Sequence, residues 1–175
     1  MTPSDAALPH AEIREEVKKL CARFPGEYWR KLDAARAYPS EFVAALTAAG
    51  YLSVLLPEEY GGAGLGLGAA SAILETIHAE GGNGAACHAQ MYTMGTVLRH
   101  GTEAQKRRYL PEIAAGRLRL QAFGVTEPTS GTDTGALRTT ARREGERYIV
   151  NGQKVWTSRA EHSDLMLLLA RTQKR

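Results

Sequence analysis

The sequence predicts a segregated α+β protein, with an all-helical block first and antiparallel strands after it. Three observations predict this. Apolar residues recur at helical spacing from residue 10 to about residue 110. Near Arg119 the pattern changes to short runs of β-branched, aromatic or apolar residues. Strand and helix signals never alternate, which argues against βαβ units and a doubly wound nucleotide fold. A length of 175 residues suits one compact domain or two small ones. The change of pattern places a helical domain at residues 1–118 and a β region at residues 119–175.

Residues 10–24 read as an amphipathic helix, with Ile13, Val17, Leu20 and Phe24 on one face. Pro25-Gly26 stops it. Ser40 is a candidate N-cap for a helix over 41–49, and Gly50 stands where a left-handed residue is wanted. Five glycines in the eight residues 61–68 argue against a regular helix or strand there. Helical spacing resumes at 69–80 through Ile73, Leu74 and Ile77, and Gly81-Gly-Asn-Gly84 breaks it. Residues 85–99 form a helix rich in small residues whose Met91, Met94, Val97 and Leu98 fill a core. Thr102-Glu-Ala-Gln105 fits a capping box for a helix to about Leu110, with Pro111 opening a further turn.

Strands are expected at 120–126, 136–143, 147–157 and 164–171. Asn151-Gly152 is the strongest hairpin signal, because a type I′ turn needs positive φ at both central positions. Glu144-Gly145 is a second candidate turn. Leu165 to Ala170 is apolar on both faces and expects cover on each. An uncovered edge there favours self-association, with Leu167 and Leu169 on the exposed face.

Composition narrows the function classes. Hydrophobic residues make up 43% and charged residues 23%, which excludes an intrinsically disordered chain. The net charge of +3 is uneven, about −1 over residues 1–118 and +4 over 119–175. The basic part carries no nucleic-acid-binding motif, so no nucleic acid is expected as partner, although it can attract a phosphate-bearing ligand. Leu165–Ala170 is the longest strongly apolar run, too short to span a bilayer, and no membrane is expected. Met1–Asp5 shows neither the basic nor the apolar part of a secretory signal. Cys21 and Cys87 make no disulfide framework, and neither they nor the five histidines have metal-ligand spacing, so a cytoplasmic protein without a metal is expected.

The loop from Phe123 to Asp133 combines a proline, a glycine and several hydroxyl and carboxylate side chains. Such a loop is either an ordinary turn or a set of amides and hydroxyls for an anion or polar ring edge. Its context decides what it resembles. Leu56-Pro-Glu-Glu-Tyr-Gly-Gly-Ala-Gly-Leu-Gly66, Gly101-Thr-Glu-Ala-Gln-Lys-Arg-Arg-Tyr-Leu-Pro111, Gly124-Val-Thr-Glu-Pro-Thr-Ser-Gly-Thr-Asp133 and Asn151-Gly-Gln-Lys-Val-Trp-Thr-Ser158 follow one another. This series resembles the acyl-CoA dehydrogenase family over roughly residues 10–175.

The resemblance implies an N-terminal helical domain, a middle β-barrel that is incomplete here, and a C-terminal helical bundle. It implies FAD between barrel and bundle, with an acyl-CoA thioester beside it. A glutamate then removes the α-proton while a β-hydride passes to the flavin. Phe123, Val125 and Thr126 match the strand that meets the flavin, with Thr126 on the polar edge of the ring. Gly131 and Thr132 match the family's Gly-Ser, near the pyrophosphate and the substrate. Thr132 keeps the hydroxyl and adds a methyl. Trp156 is implied over a face of the ring, and Thr157-Ser158 beside it, with Ser158 where the family usually has Thr. Glu127 and Asp133 taken alone read as turn and cap residues. The helix that carries Met91 and Met94 is implied near the acyl pocket.

The catalytic base is implied beyond Arg175, in the bundle, so no catalytic residue is assigned and the chain alone is expected to be inactive. Implied partners are the missing C-terminal region or a separate complementing chain, a second copy in a homo-oligomer, and an electron-transfer flavoprotein. Two alternatives stand beside this one: a non-enzymatic interaction module, and an acyl-CoA oxidase or flavin monooxygenase relative.

Overall fold

Val17, Leu20 and Cys21 recur at one-turn spacing on α1 (Ala11–Cys21), and all three are buried. α1 stops at Cys21, short of the expected end at residue 24, and Pro25 then caps a further helix, α2 (Gly26–Ala35), which local sequence did not signal. A proline before the first turn forfeits no helical hydrogen bond, so it suits that position. Tyr28 and Trp29 of α2 pack edge-to-face with Phe24 and Phe42, ring centroids 4.8 to 5.2 Å apart. The computed structural model describes residues 8–173, and the Met1–Asp5 stretch read for a secretory signal lies outside them.

α3 (Ser40–Ala48) begins one residue earlier than expected. Pro39 holds the cap position, and the Ser40 hydroxyl makes no capping bond. Gly50 adopts φ +76°, as anticipated. In the glycine-rich stretch, a Cβ on Gly62 would lie 2.1 Å from the Leu56 carbonyl oxygen, so the chain doubles back where only hydrogen fits. α4 (Leu67–Ala79) and α5 (Ala85–His100) follow. α6 (Glu103–Ala114) starts on the expected capping box: Gln105 N–H donates to Thr102 Oγ1 at 3.2 Å, and Thr102 N–H to Gln105 Oε1 at 2.8 Å. The helix does not end before Pro111 but runs through it. Burial of Leu110, Ile113 and Ala114 outweighs the missing N–H.

The helical core joins α1, α3, α4 and α5 around Leu46, Ile73 and Ile77, each fully buried. Ile73→Ala is expected to cost about 2–5 kcal/mol, the range for emptying such a site. Urea unfolding would show it as a lower midpoint at unchanged slope.

Contacts divide the chain between Arg119 and Leu120. In the second unit β1 (Ala122–Gly124) pairs with β4 (Met166–Leu168), Phe123 opposite Leu167, and β2 (Thr140–Glu144) pairs with β3 (Arg147–Asn151), Arg142 opposite Ile149. Among the described residues these are two separate two-stranded sheets, and no barrel closes.

Three expectations fail here. β1 and β4 run parallel rather than antiparallel, which the long connection between them permits. The hairpin turns at Gly145-Glu146, and β3 ends at Asn151. Gly152 sits at φ +155°, where a Cβ would fall 2.3 Å from Thr139 Oγ1. This glycine serves a close chain crossing rather than a turn, and residues 152–157 are irregular instead of strand. Finally, Met166, Leu168 and Leu169 are exposed while Leu167 is half-buried. Within β4 the outer face therefore carries Met166 and Leu168 rather than Leu167, while Leu169 just beyond the strand is exposed as expected.

Candidate functional site

Glu127 ends the first strand region and is 5% exposed. A buried carboxylate needs partners, and three contacts from three residues supply them. Arg138 N–H donates to Oε2 at 2.6 Å, and Thr139 N–H and Lys154 Nζ donate to Oε1 at 2.8 and 2.9 Å. The Glu127 main chain closes a tight turn with Ser130, N–H to carbonyl at 2.9 Å and 3.2 Å in the two directions. Thr139, the Arg138 amide and the Lys154 ammonium, in that order, hold the carboxyl far below the usual carboxylate range against the opposing effect of burial. Lys154 Nζ also donates to the Val125 carbonyl at 2.9 Å, and Val155 N–H to the Thr126 carbonyl at 2.9 Å. Two segments about thirty residues apart in sequence thus lie side by side.

Around this clamp the residues singled out in sequence fall as follows. Phe123 is half-buried in β1, and Val125 and Thr126 are half-buried just after it. Gly131 and Thr132 are exposed in the loop, and nothing lies within 4 Å of a Cβ built on Gly131. Trp156 is 88% exposed at φ +60°. Thr157 is half-buried and Ser158 exposed. The hydroxyls of Thr126, Thr132, Thr157 and Ser158 have no partner among the described residues. Pairing between the 123–127 and 154–156 segments brings Thr126 and Trp156 into one region, while Thr132 follows on the Glu127–Ser130 turn.

A second concavity lies within the helical unit. It is a cleft of about 820 Å³ lined from α4 by Leu67, Ala70, Ser71 and Leu74, and from α5 by His88, Met91, Tyr92, Gly95, Thr96 and Arg99 among others. His88 and Tyr92 meet edge-to-face at 5.2 Å on its α5 wall. Among the described residues no group of three or more His, Cys, Asp or Glu converges as a metal site requires. No helix among them is long and apolar enough to cross a membrane.

Two family models match the chain in succession: acyl-CoA dehydrogenase, N-terminal domain, over residues 9–117, and acyl-CoA dehydrogenase, middle domain, over residues 122–175. The chain belongs to the acyl-CoA dehydrogenase family. It is 35% identical over 176 residues to the acyl-CoA dehydrogenase FadE12 of Mycobacterium tuberculosis, covering 98% of this chain and 45% of the relative. Against the glutaryl-CoA dehydrogenase of Desulfococcus multivorans it is 32% identical, covering 93% and 42%. Among solved structures, a chain of the ChsE4-ChsE5 complex from Mycobacterium tuberculosis superposes with a TM-score of 0.81 at 34% identity, over 99% of this chain and 44% of that one. The chain therefore spans a little under half the length of these relatives.

A bare indole face, unpartnered hydroxyls and an unobstructed glycine suit an aromatic, hydrogen-bonding, phosphate-bearing group. The clamp itself escaped sequence reasoning. Glu127 looked like a turn residue and Lys154 drew no notice. The available signal was an opposite charge in each of two otherwise uncharged segments, 123–127 and 151–158, and only folding shows that they meet. Glu103, Glu112 and Glu127 are all held low by neighbouring donors, which makes these three weak bases. The Cys21 and Cys87 thiols are buried and pushed up to about 11 and about 12, which makes them poor nucleophiles.

Proposed function

We propose that this chain supplies the flavin-edge and acyl-binding part of an FAD-dependent acyl-CoA dehydrogenase that desaturates an acyl-CoA thioester between its α- and β-carbons. The observation that carries the proposal is the clamp that seats 123–127 against 154–156 and leaves Thr126 and Trp156 available together. Bound FAD would supply the acceptor for the β-hydride. Thr126, with Phe123 and Val125 behind it, would orient the polar edge of the ring. Trp156 would cover one ring face and keep water from it, with Thr157 and Ser158 beside it. Gly131 and Thr132 would take the pyrophosphate, and Thr132 also the substrate. The acyl group would lie along α5.

The proposal assigns the α-proton to a base outside residues 1–175, in a C-terminal bundle of the same polypeptide or of a complementing chain. It assigns reoxidation to an electron-transfer flavoprotein, and includes a homo-oligomer and a cytoplasmic setting. The domain division at residues 118/119 is part of it as well.

Trp156→Ala tests the flavin site. Loss of one aromatic contact is worth about 1 kcal/mol, or roughly fivefold in FAD affinity. Titration of FAD absorbance should show that loss, with the far-UV circular dichroism unchanged. Unaltered FAD affinity would remove Trp156 from the site.

A further inference from the structure

Gly131 and Thr132 stand on a loop whose far end is held by a remote side chain. Glu127 opens the loop and accepts from the main-chain N–H groups of Arg138 and Thr139 that close it. The carbonyls of that closing stretch go to Arg171, 34 residues after Leu137. Arg171 Nε donates to the Leu137 carbonyl at 2.6 Å, and Arg171 Nη2 donates to the Gly135 carbonyl. The Arg171 main chain adds its N–H to the Thr139 carbonyl at 2.8 Å and accepts from Ala141 N–H at 2.7 Å. Inside the loop, Ser130 Oγ donates to the Asp133 carbonyl, Thr134 N–H to the Thr132 carbonyl at 3.0 Å, and Ala136 N–H to the Asp133 carbonyl at 3.1 Å. Thr134–Ala136 is a single 3₁₀ turn, too short to hold its shape unaided. Leu137 is buried, and a buried carbonyl left without a donor is costly. A guanidinium suits this place because it presents two parallel N–H donors from one rigid plane, which an ammonium does not.

We propose that Arg171 is a positioning residue of the flavin site: its fork on Gly135 and Leu137 fixes the loop over 128–136, and with it the placement of Gly131 and Thr132. The inference rests on the reading that these two residues take the FAD pyrophosphate, and adds what holds them ready for it. Arg171 acts through the loop, because Nε and Nη2 are engaged by carbonyls of this chain. A loop ordered beforehand meets an anion without giving up its own conformational freedom at that moment.

Hydrogen exchange and FAD titration of the 175-residue chain test this on Arg171→Met, Arg171→Lys, Thr132→Ala and the double variant Arg171→Met/Thr132→Ala. In Arg171→Met the Thr134 and Ala136 amides should exchange at least roughly tenfold faster, with the β2–β3 hairpin unchanged, as a local opening requires. Arg171→Met should weaken FAD binding roughly tenfold in the native background and at most about twofold beside Thr132→Ala, since a residue acting through Thr132 has nothing to place once that hydroxyl is gone. Arg171→Lys keeps the charge without the fork, should fall between the native chain and Arg171→Met on both readouts, and gives the result if the methionine variant fails to fold. Unchanged loop exchange, equal acceleration of loop and hairpin, or an FAD loss that persists in full beside Thr132→Ala would overturn the role of Arg171 and leave the flavin reading standing. Native FAD affinity in Thr132→Ala, or no FAD binding by the native chain, would overturn both.

Discussion

Glu127→Gln is expected to cost more FAD affinity than any single hydroxyl substitution in the site, on the order of 10–100-fold, the scale of a lost charge-assisted hydrogen bond. Glutamine is nearly isosteric, yet its amide presents two N–H donors where the native carboxylate only accepts. Three donors converge on Glu127, from Arg138, Thr139 and Lys154, and one of them carries a charge. The side chain of Lys154 is 9% exposed and would be left without its counter-ion. Flavin titration together with thermal unfolding of the variant tests this, with Glu161→Gln at an exposed position as control. Native-like FAD binding by Glu127→Gln would show that the clamp does not position the site.

The same carboxylate sets a pH dependence. Its folded pKa lies far below that of an unfolded glutamate, which is ~4.3. Its stabilisation is therefore complete above that value and is lost as the pH falls through the lower folded pKa. The native β region should lose stability in acid below about pH 4, and Glu127→Gln should flatten that part of the profile. A β region whose acid unfolding is identical in both forms would contradict the assignment.

The second large effect concerns chemistry. Supplied with FAD and a panel of acyl-CoAs under anaerobic conditions, the 175-residue chain alone should bleach the flavin at least ~10²–10⁴-fold more slowly than a full relative such as FadE12, because that factor is what a positioned general base contributes. Glu127 has its oxygens occupied by donors, and Glu103 is paired with Lys106 at 2.8 Å and Glu112 with Arg117 at 2.7 Å. Bleaching at the relative's rate would mean that a base lies within these residues. Glu75→Gln and Glu80→Gln would then locate it.

Much of the helical unit was legible in sequence because its signals are local. The spacing of Val17 and Leu20, the pair Thr102 and Gln105, and the glycine at residue 50 each act within a turn or two of chain. The motif residues from Phe123 to Ser158 could be recognised for the same reason: each motif is a short run. α2 was missed because its aromatic residues are held by Phe24 and Phe42, contacts that no periodicity within ten residues displays. Pro111 was taken for a boundary because its local penalty is visible and the burial of Ile113 that offsets it is not.

What only the tertiary structure decided lies in the β region, where partners are distant in sequence. A parallel pair of Phe123 with Leu167 depends on the path of some forty intervening residues, not on either strand. Asn151-Gly152 has the composition of a hairpin, but its glycine is required by the approach of Thr139, thirteen residues away, so the stronger of the two turn signals is not the hairpin and the weaker, at Glu144-Gly145, is. The family was determined by the sequence itself. The ion pair of Glu127 with Lys154, which sets the 123–127 and 154–156 segments beside each other, exists only once remote segments have packed, because charge pairing is a property of neighbours in space.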